Sequence, residues 1–226
     1  MCGIVGILSA SKKEYIQKSN QSIHHRGPDD DGFYMDRDLA LAHQRLSILD
    51  LSLAGHQPMT IENDNIVMVF NGEIYNHMNI RDRLQCDSYK SHTDTETILQ
   101  GYLEFGVEIF AMMNGIFALA IYDKKKGKLI LCRDQFGVKP LYYYFKNSEL
   151  IFGSEIKSFL SIPGWDKSID YKALSNYINF LWSPGEQTPF LNIKKFPVGH
   201  YMELDVDKRR NPVFTQFYNI PFDNTR

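Results

Sequence analysis

The chain predicts an α+β fold of mostly antiparallel strands, and three observations carry that prediction. Short apolar runs alternate with turn residues along most of its length, the texture of strands. Helical periodicity is confined to a few segments. Around DKKKGK two apolar runs flank a compact polar turn, as a hairpin requires. Amphipathic helices interspersed among such strands must cover sheet faces, which makes the fold layered. With 226 residues and 43% hydrophobic content the chain can bury a full core in one large domain, or in a domain with a tail.

Taken in order, strands are predicted at Ile4 to Leu8, Leu39 to Leu46, Ile66 to Phe70, Phe117 to Tyr122, Leu129 to Arg133, Leu141 to Phe145 and Leu150 to Phe152. Helical patterns follow Ser11, begin at Thr97 (TILQGYLEF) with a second helix running into FAMMNG, and begin at Asp170 (DYKALSNYINFL). Thr93 and Glu96 have capping-box spacing, which places Asp94 in the first helical turn. From about Ser183 the texture changes: SPGEQTPF, KKFPVGH and RRNP are rich in Pro, Gly and charge. The expected organisation is a domain over 1–205 and a C-terminal tail or linker over 206–226.

Composition narrows the function. The net charge is −2 with no long run of one sign, so no nucleic-acid partner is expected. Cys2, Cys86 and Cys132 show neither framework nor zinc-site spacing, which argues for a reduced compartment and no metal. No signal peptide and no apolar run of about 18 residues occurs, so the expected location is cytoplasmic with no membrane contact. Neither G-x-x-x-x-G-K-[ST] nor G-x-G-x-x-G is present, so no nucleotide phosphate cradle is expected.

Several residues could do chemistry, each against an ordinary alternative. Cys2 is either a buried thiol ahead of a strand or a nucleophile. Removal of Met1 would give it a free α-amine with a pKa of roughly 7.7 to 8.0, a better base near neutrality than lysine. Asn71-Gly72 in NGEIYN reads most simply as a tight hairpin turn. The same pair could aim a side-chain amide and a backbone N–H at one oxygen, as an oxyanion hole does. Arg45 is either an exposed arginine or a bidentate partner for an α-carboxylate. Glu73 and Asp94 are a turn residue and a helix N-terminal charge, or carboxylates that hold an α-ammonium group. HHRGPDDDG lacks metal-site spacing and reads as a polar loop.

The order of the motifs decides between these alternatives. MCGIVGI, HHRGPDDDG, AHQRLSILDL, NGEIYN, HTDTE, GIFALAIYD, RDQFGVKPLYY and SEIKSFL follow one another. From about Cys2 to Tyr201 the succession resembles the N-terminal glutamine-hydrolysing domain of glutamine-dependent asparagine synthetases, which are class II, N-terminal-nucleophile amidotransferases. The resemblance implies a four-layer αββα sandwich of two mostly antiparallel sheets. It implies Cys2 as nucleophile, freed by removal of Met1, with Asn71 and Gly72 as oxyanion donors. Arg45 would clasp the glutamine carboxylate, with backbone of Leu46, Ser47, Ile48 and Leu49 lining the same pocket. Glu73 and Asp94 would surround the ammonium, and Arg26 and Gly27 would pack near the nucleophile in support.

The implied activity is hydrolysis of L-glutamine through a cysteinyl thioester, the ammonia serving ATP-dependent conversion of aspartate to asparagine. In the family that second step uses an SGGxDS-type loop, which the sequence lacks. ATP and Mg are therefore expected only on a synthetase domain or subunit outside this chain, with no cofactor here. The chain is expected to be a fragment or to work beside such a partner, and a homodimer is a further possibility. Two alternatives stay open: a non-catalytic regulatory or scaffold module of the same fold, and an amidotransferase subunit serving another ammonia acceptor.

Overall fold

The GIVGIL run is buried at every position, as a strand covered on both faces must be, and this accounts for the architecture around it. The fold is taken from a computed structural model, which describes residues 1–86 and 88–220. One antiparallel sheet contains β1 (Gly3–Leu8), β2 (Asp30–Asp36), β3 (Leu39–Arg45), β8 (Tyr142–Lys146), β9 (Glu149–Gly153) and β10 (Ile193–Lys195). Its strand order is β10-β8-β9-β1-β3-β2. The other contains β4 (Met59–Ile61), β5 (Ile66–Ile74), β6 (Gly115–Asp123), β7 (Lys128–Arg133), β11 (His200–Asp205) and β12 (Val213–Gln216). Here the order is β12-β11-β7-β6-β5-β4.

Alternation along the strands builds the layers. Ile4, Leu8, Leu39 and Leu41 meet Val67, Val69, Ala118 and Leu131 between the sheets. The opposite faces of the same strands are covered by helices. Val5, Ile7, Ala40 and Ala42 pack with Ile16 of α1 (Ile16–Ser22) and Phe159 of α5 (Lys157–Leu160). Met68, Leu119 and Ile121 pack with Leu99 and Tyr102 of α3 (Asp94–Phe105) and Phe110 of α4 (Ile109–Met112). The result is the αββα sandwich. Gly6 shows how tight the layers are: a Cβ there would lie 2.0 Å from the Phe152 ring.

The strands expected from apolar runs are all present, and the DKKKGK hairpin joins β6 to β7 with Asp123 opposite Lys128. Sequence reading missed β2, β4, β10, β11 and β12; most are short or lie at a sheet edge with partly exposed residues. The stretch expected as a tail or linker over 206–226 includes β12, which pairs with β11 from His200↔Gln216 to Glu203↔Val213; its last residues, 221–226, lie outside the described residues. The hairpin-turn reading of Asn71-Gly72 is wrong. Both residues lie inside β5, opposite Ala118 and Phe117. The long apolar partner GIFALAIYD extends the ladder through them, so distant pairing overrides local turn chemistry.

The cap of α3 is half of the expected box. Thr93 Oγ1 accepts from Glu96 N–H at 3.2 Å, but Glu96 does not return the bond to Thr93. Its carboxylate accepts from the N–H groups of Lys90 and Ser91 at 2.8 and 2.7 Å, while Thr93 N–H donates to Ser91 Oγ. Asp94 is therefore fixed at the helix start. The remaining α-helices among the described residues are α2 (His77–Arg81) and α6 (Tyr171–Phe180). Among the described residues no helix is long and apolar enough to cross a membrane.

Candidate active site

The site forms where β4 stops. Its register on β5 covers Ile66 to Met68, leaving the rest of that β5 edge without a strand. Phe117 points its N–H at Asp134 Oδ2 (3.1 Å), and its carbonyl accepts from Asp134 N–H (2.8 Å). Gly72, directly opposite Phe117, must by the antiparallel alternation turn its own N–H away from β6 and out of the free edge. Its neighbours two residues away do the same. Phe70 N–H donates to Gln57 Oε1 at 2.7 Å, and Ile74 N–H donates to Asp94 Oδ2 at 2.8 Å. The Gly72 amide between them faces a cleft.

That cleft is lined by Met1, Cys2, Arg45, Leu46, Ile48, Leu49, Asn71, Gly72, Glu73 and Asp94, together with Gln57, Asp50, Gly55, Phe70, Thr93, Thr95 and Lys139. Sequence reasoning thus named most of the residues brought together here. Ser47, Arg26 and Gly27 are not among the lining residues. Ser47 N–H donates to Asp29 Oδ2 at 2.8 Å, which anchors the loop from behind. Gly27 lets the 24–29 segment press on β3, since a Cβ there would lie 2.5 Å from the Arg45 carbonyl carbon.

Cys2 is half-buried immediately before β1, at the cleft wall. Its Sγ accepts from Leu46 N–H at 3.4 Å and lies 3.6 Å from the Leu46 carbonyl oxygen. Burial pushes the thiol pKa up, against the Leu46 N–H and the positive charges of the N-terminus, Arg45 and Lys139. Asn71 is 1% exposed, and neither its Nδ2 nor its Oδ1 has a hydrogen-bond partner. An unsatisfied buried amide carries a free-energy cost of about 1–3 kcal/mol, a cost expected where a ligand is to complete the bond.

The charged wall is built by loops. Arg45, at the end of β3, is buried; its NH1 donates to the Ser52 carbonyl at 2.9 Å and its NH2 to the Asp50 carbonyl. A guanidinium has five N–H donors, so these bonds orient the group and leave donors for a ligand. Gly55 admits it: a Cβ there would lie 2.1 Å from Arg45 NH2. The loop is tied down by Asp50, whose carboxylate accepts from Ser52 and from His92 N–H, drawing its pKa down to about 2.

Burial raises the Glu73 pKa, against the charge of Lys139. Asp94 is raised to about 7, first by burial and further by Glu73, against the Ile74 N–H. Beneath the cleft, His43 donates from Nε2 to the Phe70 carbonyl at 3.0 Å; burial depresses its pKa to about 3, so it stays neutral.

Gln57, Gly55, Asp50 and Lys139 were missed. Gln57 and Gly55 sit in AGHQPM, where nothing local marks them, because their roles depend on where β4 ends and where Arg45 lies. Lys139 falls in the RDQFGVKPLYY block. Buried Asp134 accepts from Phe136, Val138 and Lys139 N–H groups at 3.0 Å each and so carries that loop to the cleft.

Comparison with known proteins identifies the family. A family model described as a glutamine amidotransferase domain matches residues 1–218. The chain is 37% identical to a putative asparagine synthetase [glutamine-hydrolyzing] 2 of Methanocaldococcus jannaschii, over 92% of this chain and 45% of that protein. It is 38% identical to asparagine synthetase [glutamine-hydrolyzing] 2 of Bacillus subtilis, over 91% of this chain and 29% of that protein. The chain thus spans less than half the length of these curated relatives. A shared fold extends to the solved glutamine phosphoribosylpyrophosphate amidotransferase of B. subtilis: TM-score 0.70 at 16% identity, covering 96% of this chain and 49% of that one. The chain therefore belongs to the glutamine amidotransferase domain family and is homologous to the glutamine-hydrolysing part of asparagine synthetases.

Proposed function

We propose that this domain hydrolyses the side-chain amide of L-glutamine to glutamate and ammonia, with Cys2 as nucleophile. Its ammonia would serve an ATP-dependent synthetase partner that converts aspartate to asparagine in the cytoplasm, where ATP and Mg would be held by the partner. The observation that most supports the reading is the meeting in one cleft of the Cys2 thiol and an Asn71 amide with no protein partner. Arg45 stands ready for an α-carboxylate, and Glu73 with Asp94 for an α-ammonium. Together they complement the zwitterionic end of an amino acid.

With Met1 removed, the α-amine of Cys2 takes the thiol proton and the sulfur bonds to the amide carbon. The carbonyl π electrons move onto oxygen, where Asn71 Nδ2–H and Gly72 N–H stabilise the charge. Collapse breaks the C–N bond, and the ammonium returns its proton to the departing ammonia. Water then adds to the thioester with the amine as base, releasing glutamate and restoring the thiol. The span from sulfur to the Arg45, Glu73 and Asp94 wall selects chain length, because a shorter homologue leaves buried polar groups unpaired.

The test is glutamate release from glutamine by protein whose mature N-terminus is shown by intact mass to be Cys2. Activity is expected in that form, and loss of it in Cys2→Ala and in protein retaining Met1, whose corresponding nitrogen is an amide. Equal release by the processed protein and Cys2→Ala would overturn the role of Cys2.

A further inference from the structure

Cys2 stands one residue outside β1, whose register on β3 begins at Gly3↔Gln44, so a side chain does what the ladder does not. Arg26 donates from Nε to the Cys2 carbonyl oxygen at 2.9 Å. Gly3 allows this approach: a Cβ there would lie 3.3 Å from Arg26 Cδ and 2.7 Å from Ile23 Cδ1. The Arg26 side chain is only 8% exposed, and a buried guanidinium needs an opposite charge. Glu155 supplies it, its Oε1 accepting from Arg26 NH1 at 2.9 Å.

Glu155 is itself held from several sides. It lies two residues beyond β9, after Ser154, whose N–H donates to the Ile4 carbonyl at 2.9 Å and whose Oγ accepts from Ile4 N–H at 3.0 Å. Its own carbonyl accepts from Ser158 N–H and Oγ at 3.1 and 2.8 Å. On the solvent side His25 Nε2 lies 2.8 Å from Oε1, and Lys157 Nζ lies 3.3 Å from Oε2. Those exposed ion pairs contribute little. The part-buried bond to Arg26 is the one that reaches the nucleophile.

We propose that Glu155 is a positioning residue for the nucleophile: its carboxylate holds Arg26, and Arg26 holds the carbonyl of Cys2. This rests on the glutaminase reading above. Removal of Met1 takes away the covalent tether on the amino side of Cys2, leaving its Cα joined to the fold through the carbonyl that Arg26 grips. That Cα bears both the sulfur and the base. Neither Arg26 nor Glu155 lines the cleft, so loss of the carboxylate disturbs aim rather than substrate binding. A displacement of about 1 Å at a reacting atom can cost about 100-fold in rate.

The test uses the full chain with Cys2 as its mature N-terminus. Glu155→Ala is expected to lower kcat for glutamine by about tenfold or more with KM within about twofold, because alignment is lost and binding kept. Glu155→Gln keeps an oxygen for Arg26 and is expected to lower kcat by about threefold. Lys157→Ala, which removes only the exposed pair, is expected to match wild type. If Glu155→Ala does not fold, Glu155→Gln decides. Wild-type kcat in the glutamine variant, a loss confined to KM, or an equal loss in Lys157→Ala would overturn the proposal. Alkylation of Cys2 by iodoacetamide at neutral pH, followed by mass spectrometry, separates the two claims. An inactive wild type would defeat the glutaminase reading, while slower alkylation of the Glu155 variant would still support the positioning path and equal alkylation would defeat it.

Discussion

Along β5, the stretch Ile66 to Met68 and the stretch Phe70 to Ile74 share β6 as partner but differ on the opposite edge. The first is covered by β4, and its amides are consumed by ladder bonds. The second has side chains in place of a strand: Gln57 on Phe70, Asp94 on Ile74, and an open position at Gly72. The difference teaches how a sheet becomes a site. A ladder that ends early leaves amides with a fixed direction and spacing; side chains satisfy those of Phe70 and Ile74, while that of Gly72 faces the cleft that Cys2 also lines. Stability should reside in the first stretch and reactivity in the second.

The sharpest way to break this division is to exchange the two losses. Met68, fully buried against α3, should cost about 2–5 kcal/mol when changed to Ala. Urea unfolding would read it, while kcat per folded molecule stays unchanged. Asn71→Ala should do the reverse. It should lower kcat by about 10²–10³-fold, the usual effect of losing an oxyanion donor, with unfolding free energy near wild type because its amide bonds nothing in the protein. A large stability loss in Asn71→Ala with kcat preserved would make Asn71 a packing residue. Gln57→Ala comes next, since it leaves the buried Phe70 N–H without its acceptor. A loss of about 1–3 kcal/mol in stability is expected, and a smaller one would mean that the edge relaxes onto another partner.

The same division explains what the sequence revealed. The strands of the first kind announce themselves, because apolar runs such as NIVMVF and LILCR are properties of adjacent residues. Cys2 taken alone reads as a buried thiol ahead of a strand, and only the order of the motifs along the chain marks it as a candidate nucleophile. Asn71-Gly72 misled as a turn, since nothing local shows that β6 extends past it. Gln57, Gly55 and Lys139 were illegible because their roles arise only when distant segments meet, at the end of β4, against Arg45 and beside Cys2. Short edge strands such as MTI and VFTQ carry too little apolar pattern to distinguish them from loop.

Gln57 and Asp94 perform one task on the edge amides of Phe70 and Ile74, yet only Asp94 can change charge, and this makes its contribution depend on pH. Burial holds its carboxyl near 7 in the folded protein, against about 3.9 in an unfolded chain. Between those values the folded state binds the additional proton, so unfolding free energy falls as pH rises from about 4 to about 7 and this contribution levels off above. Asp94→Asn keeps an oxygen for the Ile74 N–H but cannot ionise, which makes Asp94 resemble Gln57. Urea unfolding across that window should then lose the decline attributable to Asp94. The wild type should also bind glutamine more tightly as pH passes about 7, because the ionised carboxylate is the form that attracts an α-ammonium. A KM that rises with pH over that range in the wild type, or the same slope in Asp94→Asn, would remove Asp94 from the ammonium site and leave it as Gln57 is, an acceptor for the edge of β5.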